Sequence, residues 1–309
     1  MKKNKDLQKI IIDTDAGHDD VLAMMLLIKS KKADIMAITT VAGNSTIQNA
    51  TRNTAFTLDL LKRRDISIFS GKARPLKRKL ITAVIHGKSG LDGADTSCTK
   101  FKLSADAHRR IIDLVRANPH QVTILTLGPL TNIARAFIAD PKLPSLVEKI
   151  VIMGGAINVC GNKNRVAEFN MFVDPEAADI AFKAPVKRIV IPIDICNNMP
   201  LFLSDFNKLE GSNLHKPIMS MMKHFIAGIK RYEGTKGALV YDAVAAYYLL
   251  NPKAFTIEAM DIVIETRGEY TFGMTVAEKR ISAKKTINVL VGLQLNRKEF
   301  VEDFIKILK

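Results

Sequence analysis

The stretch Ile10-Ile11-Ile12-Asp13-Thr14-Asp15-Ala16-Gly17-His18-Asp19-Asp20 runs a β-branched apolar segment straight into four acids within eight residues. Residues 10–13 read as a short buried strand. Residues 19–29 follow as a helix with acids in its first turn, where the macrodipole favours them. The alternation continues with strands over 34–41, 122–127, 149–153 and 187–194, and helices over 46–62, from 129 and from 174. In the last of these, Asp174 caps and Pro175 takes the first helical position, where a missing amide donor costs nothing. Strands separated by such helices predict right-handed βαβ crossovers and a mainly parallel sheet.

The final third is less regular: helices over 217–232 and 242–250, a strand-rich segment from 254 to 290, and an amphipathic helix over 297–308. No Pro/Ser-rich linker and no internal repeat divides residues 1–309. The expectation is one α/β domain, its mainly parallel central sheet flanked by helices in a Rossmann-related arrangement.

Composition agrees. With 309 residues, 47% hydrophobic and only 17 Gly and 11 Pro, the chain is neither disordered nor collagen-like. Cys98, Cys160 and Cys196 stand far apart with no C-x-x-C pair, which favours a reducing, cytoplasmic setting over a disulfide scaffold. Met1-Lys2-Lys3-Asn4-Lys5 could open a signal peptide, but the apolar run at Ile10 stops too soon for one. The longest uncharged apolar run, 21–28, is far short of the ~20 residues a membrane span needs, so no membrane partner is expected. The formal charge of +15 is spread over short clusters such as Lys62-Arg63-Arg64 and Lys77-Arg78-Lys79. Without Trp or a tyrosine stacking array, this reads as a solvated basic surface and not a nucleic-acid site.

The acids carry the chemistry. In open parallel sheets, sites form beyond the carboxyl ends of strands. Two carboxylates ~4 Å apart repel by about 4 kcal/mol at an effective dielectric of 20, so such a cluster needs a cation, a shared proton or divergent side chains. Oxygen-only ligands favour Ca²⁺ or Mg²⁺ over zinc. A helix start, with Asp15 as cap, explains one or two of these acids but not four. A strand ending in Asp-x-Asp also fits a haloacid-dehalogenase-like, Mg²⁺-dependent phosphohydrolase with Asp13 as nucleophile.

Blocks farther along separate the two. Asp13-Thr14-Asp15-Ala16-Gly17-His18-Asp19-Asp20 resembles the D-x-D-P-G-x-D-D opening of the nucleoside N-ribohydrolase family, of the inosine-uridine preferring type. Matching blocks follow in the family's order: Val41-Ala42-Gly43-Asn44, His86-Gly87-Lys88-Ser89-Gly90-Leu91-Asp92-Gly93, Leu127-Gly128-Pro129-Leu130-Thr131-Asn132, Val151-Ile152-Met153-Gly154-Gly155, and Ala167-Glu168-Phe169-Asn170 with Asp174-Pro175-Glu176-Ala177-Ala178. Tyr241-Asp242-Ala243 stands where the family usually has His-Asp. The resemblance covers about residues 9 to 250.

It implies a Ca²⁺-dependent hydrolase that splits ribonucleosides into ribose and free base for salvage, working as a homo-oligomer (dimer or tetramer). By the same resemblance, Asp15, Asp20, Asp242 and the carbonyl of Leu127 would ligate the metal, and Asp15 would accept the proton of the attacking water. Asp19 and Asn170 would bind the ribose diol, and Asn162 and Glu168 the 5′-hydroxyl. Asn44 would orient Asp15 or the sugar, while Met153 and Phe169 would pack against ribose or base. His86 matches a histidine near the base in pyrimidine-preferring relatives, which tilts the expected preference to pyrimidine ribosides. Residues 216–232 resemble a flap over the base, ending at Tyr232. Asp92 and Asp95 are assigned only to turn formation.

Two departures stand out. Tyr241 replaces the histidine that relatives use as candidate leaving-group acid, and a tyrosine near pKa ~10 is a much weaker donor than a histidine near ~6.5. This leaves open a non-catalytic nucleoside-binding protein. Ala16 replaces the usual proline, and alanine is expected to adopt the proline's φ.

Overall fold

Ile10, Ile11 and Ile12 lie at the centre of the molecule. Ile10 and Ile12 face one apolar layer and Ile11 the other, the two-residue period of a strand buried on both sides. The computed structural model describes residues 7–104 and 106–309; the basic Met1–Lys5 stretch lies outside them.

The elements in chain order begin with β1 (Gln8–Thr14), α1 (His18–Ser30), β2 (Ala33–Thr40), α2 (Ile47–Leu60), β3 (Ile68–Ser70), α3 (Ala107–Ala117), β4 (Val122–Thr126) and α4 (Thr131–Ala139). Next come α5 (Leu143–Leu146), β5 (Lys149–Met153), α6 (Phe169–Val173), α7 (Pro175–Lys183), β6 (Arg188–Ile191), α8 (Ile193–Cys196), β7 (Pro200–Leu201) and α9 (Leu203–Asn207). The chain finishes with α10 (His215–Glu233), β8 (Ala238–Leu239), α11 (Tyr241–Leu250), β9 (Phe255–Met260), β10 (Ile262–Ile264), β11 (Thr275–Ala277), β12 (Val289–Leu295) and α12 (Arg297–Leu308).

Eight strands form one sheet in the order β3-β2-β1-β4-β5-β6-β12-β9, parallel except that β9 runs antiparallel to β12. The expected α/β architecture is therefore present. One layer sets Val21–Ile28 of α1, Ala243–Tyr247 of α11 and Phe300 and Phe304 of α12 against the sheet. The opposite layer holds α3, α4 and α7 through Ile111, Ile133, Phe137 and Phe182. The apolar run 21–28 is thus a core helix, and no helix among the described residues is long and apolar enough to cross a membrane.

Strand order reverses between β1 and β4, which opens a crevice at their carboxyl ends. Asp15 and Leu127 leave β1 and β4 there, with Asn44 following β2 and Met153 ending β5.

Some boundaries shift for local reasons. The strand expected over 187–194 stops at Ile191, because Pro192 has no amide to continue the ladder and the chain turns into α8. The strand-rich tail divides: β9 and β12 extend the main sheet, while β10 and β11 form a separate hairpin.

Asp174 caps α7 as expected and does more. One carboxylate oxygen accepts from Ala177 N (3.1 Å). The other accepts from Leu76 N (2.8 Å) and Thr131 Oγ1 (2.6 Å), tying a distant loop and the start of α4 to the helix. Asp174→Ala removes a cap worth about 1–2 kcal/mol and leaves buried donors unpaired at about 1–3 kcal/mol. Urea unfolding should register a combined loss of about 2–4 kcal/mol, and a loss under about 1 kcal/mol would show that these bonds are replaced by water.

Candidate active site

The turn between β1 and α1 is built from short-range bonds. Asp20 reaches back to accept from Gly17 N (2.8 Å) and Thr14 Oγ1 (2.5 Å). Asp15 accepts Asn44 N at 2.6 Å, and the Asn44 amide bridges Asp15 Oδ1 and Asp20 Oδ2, each at 3.2 Å. Asp15 is therefore not the cap of α1. Asn44 orients it.

Ala16 corrects the sequence expectation. Its φ is +44°, a left-handed conformation closed to proline, whose ring holds φ near −65°. The roughly 1–2 kcal/mol that this conformation costs a Cβ-bearing residue is offset by two bonds. Ala16 N donates to Thr14 Oγ1 (3.1 Å), and Asn53 Nδ2 donates to Ala16 O (3.1 Å). Gly17 admits no side chain, since a Cβ there would lie 2.6 Å from the Asn44 amide and 2.7 Å from the His86 ring.

Asp13 points elsewhere. Its carboxylate accepts from Thr39 Oγ1 (2.5 Å) and Asn132 Nδ2 (2.8 Å), and burial lifts its pKa to about 7. Unlike Asp15 it makes no hydrogen bond to Asn44, which links Asp15 to Asp20, so this geometry lends the phosphohydrolase reading with Asp13 as nucleophile no support.

An open cavity lies over the crevice. Its wall includes Asp19, Asn44, His86, Leu127 and Met153, then Asn162, Glu168, Phe169, Asn170, Tyr241 and Asp242. Asp15 and Asp20 lie buried behind this wall. The tightest acidic set is Asp19, Asp20 and Asp242, with one oxygen of each within 4.8 Å of the others. Asp15 touches Asp20, so the expected ligand set and this triad share two members and differ in Asp15 against Asp19. Asp242 sits inside the first turn of α11 and does not cap it.

Burial and mutual repulsion push Asp15, Asp19 and Asp242 well above the ordinary carboxylate range. Among the described residues no salt bridge reaches any of the four acids. An oxygen-only, uncompensated set of this kind fits a hard divalent cation.

The remaining wall is pre-bonded. Glu168 accepts from Asn170 N (2.8 Å), Gly155 N (3.1 Å) and Met171 N (3.2 Å), and burial raises its pKa to about 7. Asn170 Nδ2 donates to Leu127 O (2.7 Å), while Asn162 Oδ1 accepts from Phe169 N (2.9 Å). The Tyr241 hydroxyl donates to Asn197 Oδ1 (2.9 Å), and burial drives its pKa well above 10.

Sequence reading passed over two residues here. His18, His86 and Phe225 form a triangular ring cluster, with centroids 5.3 Å (His18–His86), 4.8 Å (His18–Phe225) and 5.1 Å (His86–Phe225) apart. The His18 backbone amide donates to His86 Nδ1 (3.2 Å), its own Nδ1 lies 3.0 Å from the same atom, and its Nε2 meets Asp92 O at 2.9 Å. Burial lowers His18 to about 4 and His86 well below 6.5, so both rings are neutral. Neutral His18 donates through Nε2 to the Asp92 carbonyl, which leaves its Nδ1 as an acceptor facing His86 Nδ1. The only sequence signal for His18 was its place inside the acidic stretch. Glu233, at the end of α10, lines the cavity with Tyr232 and carried no local signal at all. Asp92 makes the expected turn, accepting from Lys88 N and Ser89 N, and also anchors His18 through its carbonyl.

Gly43 controls Asp15 by contact. A Cβ there would lie 2.1 Å from Asp15 Oδ2 and 2.7 Å from Pro129. Gly43→Ala should therefore displace the carboxylate and weaken divalent-cation binding by about 10–100-fold, the usual cost of disturbing a ligand's support. Calorimetric titration with Ca²⁺ checks this, and unchanged affinity would remove Asp15 from the cation's surroundings.

Comparison with known proteins places this geometry. The pyrimidine-specific ribonucleoside hydrolases RihA of Salmonella newport (strain SL254) and Escherichia coli O1:K1 / APEC are each 34% identical over 307 residues, covering 95% of this chain and 96% of the relative. Among solved structures, a plant nucleoside hydrolase, the PpNRh1 enzyme, superposes with a TM-score of 0.91 at 29% identity, covering 97% of this chain and 98% of that one. A purine-preferring ribonucleoside hydrolase from Gardnerella vaginalis gives 0.88 at 25% identity with the same coverage. Residues 10–302 match the family described as inosine-uridine preferring nucleoside hydrolase. The chain belongs to that family, whose members are hydrolases of N-glycosyl bonds.

Proposed function

We propose that this enzyme hydrolyses ribonucleosides to ribose and free base with Ca²⁺ as cofactor, and that it prefers pyrimidine ribosides. One observation carries the reading. Four buried carboxylates without a cationic partner, Asp19 and Asp242 in the cavity wall and Asp15 and Asp20 behind it, adjoin the amides and the further carboxylate a ribose needs. The pyrimidine preference is supported by the RihA relatives and by the place of His86, a neutral imidazole, in the cavity wall.

Asp15, Asp20, Asp242 and the Leu127 carbonyl would hold the cation, with Asp19 adjoining them. A divalent cation held there would offset the carboxylate repulsion and supply Lewis-acid activation of water. The chain's own residues do the rest. Asp15 takes the proton of the attacking water, its carboxylate held in place by both Asn44 bonds. Asp19 and Asn170 hold the ribose diol, with the Asn170 amide already fixed by Leu127 O. Asn162 and Glu168 receive the 5′-hydroxyl, and Met153 and Phe169 close on the sugar and base.

A panel of ribosides assayed for free ribose tests the reading, with uridine and cytidine expected ahead of inosine. Exhaustive chelation should abolish ribose release and Ca²⁺ restore it; full activity in metal-free enzyme would overturn the cofactor assignment. Asp15→Asn keeps the shape but cannot accept the water's proton, so kcat should fall by about 10²–10⁴. A kcat within threefold of wild type would remove Asp15 from the base role.

A further inference from the structure

The base of uridine or inosine departs as an anion unless it is protonated, so a donor must face it. The cavity wall can be surveyed by what each acidic group is already doing. The Tyr241 proton is donated to Asn197, and Glu168 is occupied by three backbone amides. Asp19 and Asp242 belong to the acidic triad. His86 is neutral, and losing its remaining proton would leave an imidazolate, so it does not serve as an acid.

Glu233 is different. It lines the cavity half-buried, and its carboxyl makes no hydrogen bond or ion pair with any described residue. No salt bridge joins it to any cation among the described residues; Arg231 stacks on Tyr232, and Lys163 in the cavity wall sits over Phe169 and Phe172. Glu233 is also the last residue of α10, where the negative end of the helix dipole disfavours a carboxylate. It lines the same cavity as Asp19 and Tyr241.

We propose that Glu233 is the general acid that protonates the departing nucleobase, the task that Tyr241 cannot perform here. Desolvation raises the pKa of Glu233, which favours the protonated form the task requires. In the step, the C1′–N bond breaks and its electron pair passes to the base, which takes the Glu233 proton. The water oxygen bonds to C1′ and its proton goes to Asp15. Return of that proton from Asp15 to Glu233 through solvent restores both groups.

The inference rests on the nucleoside hydrolase reading, and the test separates the two. Wild type, Glu233→Gln, Glu233→Asp and Glu233→Ala are assayed on uridine and on p-nitrophenyl β-D-ribofuranoside, whose nitrophenolate leaves without a proton. Glu233→Gln should lower kcat on uridine by about 10²–10⁴ and on the nitrophenyl riboside by at least tenfold less. Glu233→Asp should recover part of the uridine rate. Glu233→Ala should give the same skewed substrate ratio, which carries the test should the glutamine variant not fold. Equal losses on both substrates, or a uridine rate within threefold of wild type, overturn the assignment while leaving the hydrolase reading intact. A wild-type protein inactive on both ribosides overturns that reading and this inference with it.

Discussion

Four carboxylates withdrawn from water within one strand-to-helix junction repel one another, and much of the local architecture exists to hold them there. Asp20 is pinned by Thr14 and Gly17, Asp15 by Asn44, and Asp13 by Thr39 and Asn132. Each bond restrains a charge that would otherwise turn toward solvent. Glycines at 17 and 43 keep the space around the acids clear of side chains. The result is a preorganised oxygen cage whose electrostatic cost falls only when a cation or protons enter.

Around that cage the wall is graded by function. On one side, Glu168, Asn162 and Asn170 are locked by backbone groups, which fixes their orientation. On another, the His18–His86–Phe225 cluster presents flat, neutral rings, and α10 adds Tyr232 and Glu233 to the wall. α10 lines the cavity from Phe225 and Ile229 to Tyr232 and Glu233, so its second half forms one side of the opening.

Several residues show how local and tertiary information divide. The N-cap role of Asp174 and the burial of Ile10–Ile12 follow from neighbouring residues, and both were legible. The conformation of Ala16 was not. Its positive φ is held by Asn53, which lies 37 positions away, so preference at one residue could not announce it. The same holds for Asp13, which local pattern makes a nucleophile candidate and Asn132 makes a buried bridge.

By itself the sequence determined the parallel α/β layering and the presence of an acidic site, because apolar periodicity and charge density act over a few residues. The order of the blocks also determined the family. Only the tertiary structure decided that Asp19 joins Asp20 and Asp242, that His18 backs His86, and that Glu233 enters the cavity. The physical reason is distance along the chain. Strand order brings the ends of β1, β2, β4 and β5 to one crevice, and the packing of α10 and α11 over it sets which distant side chains meet.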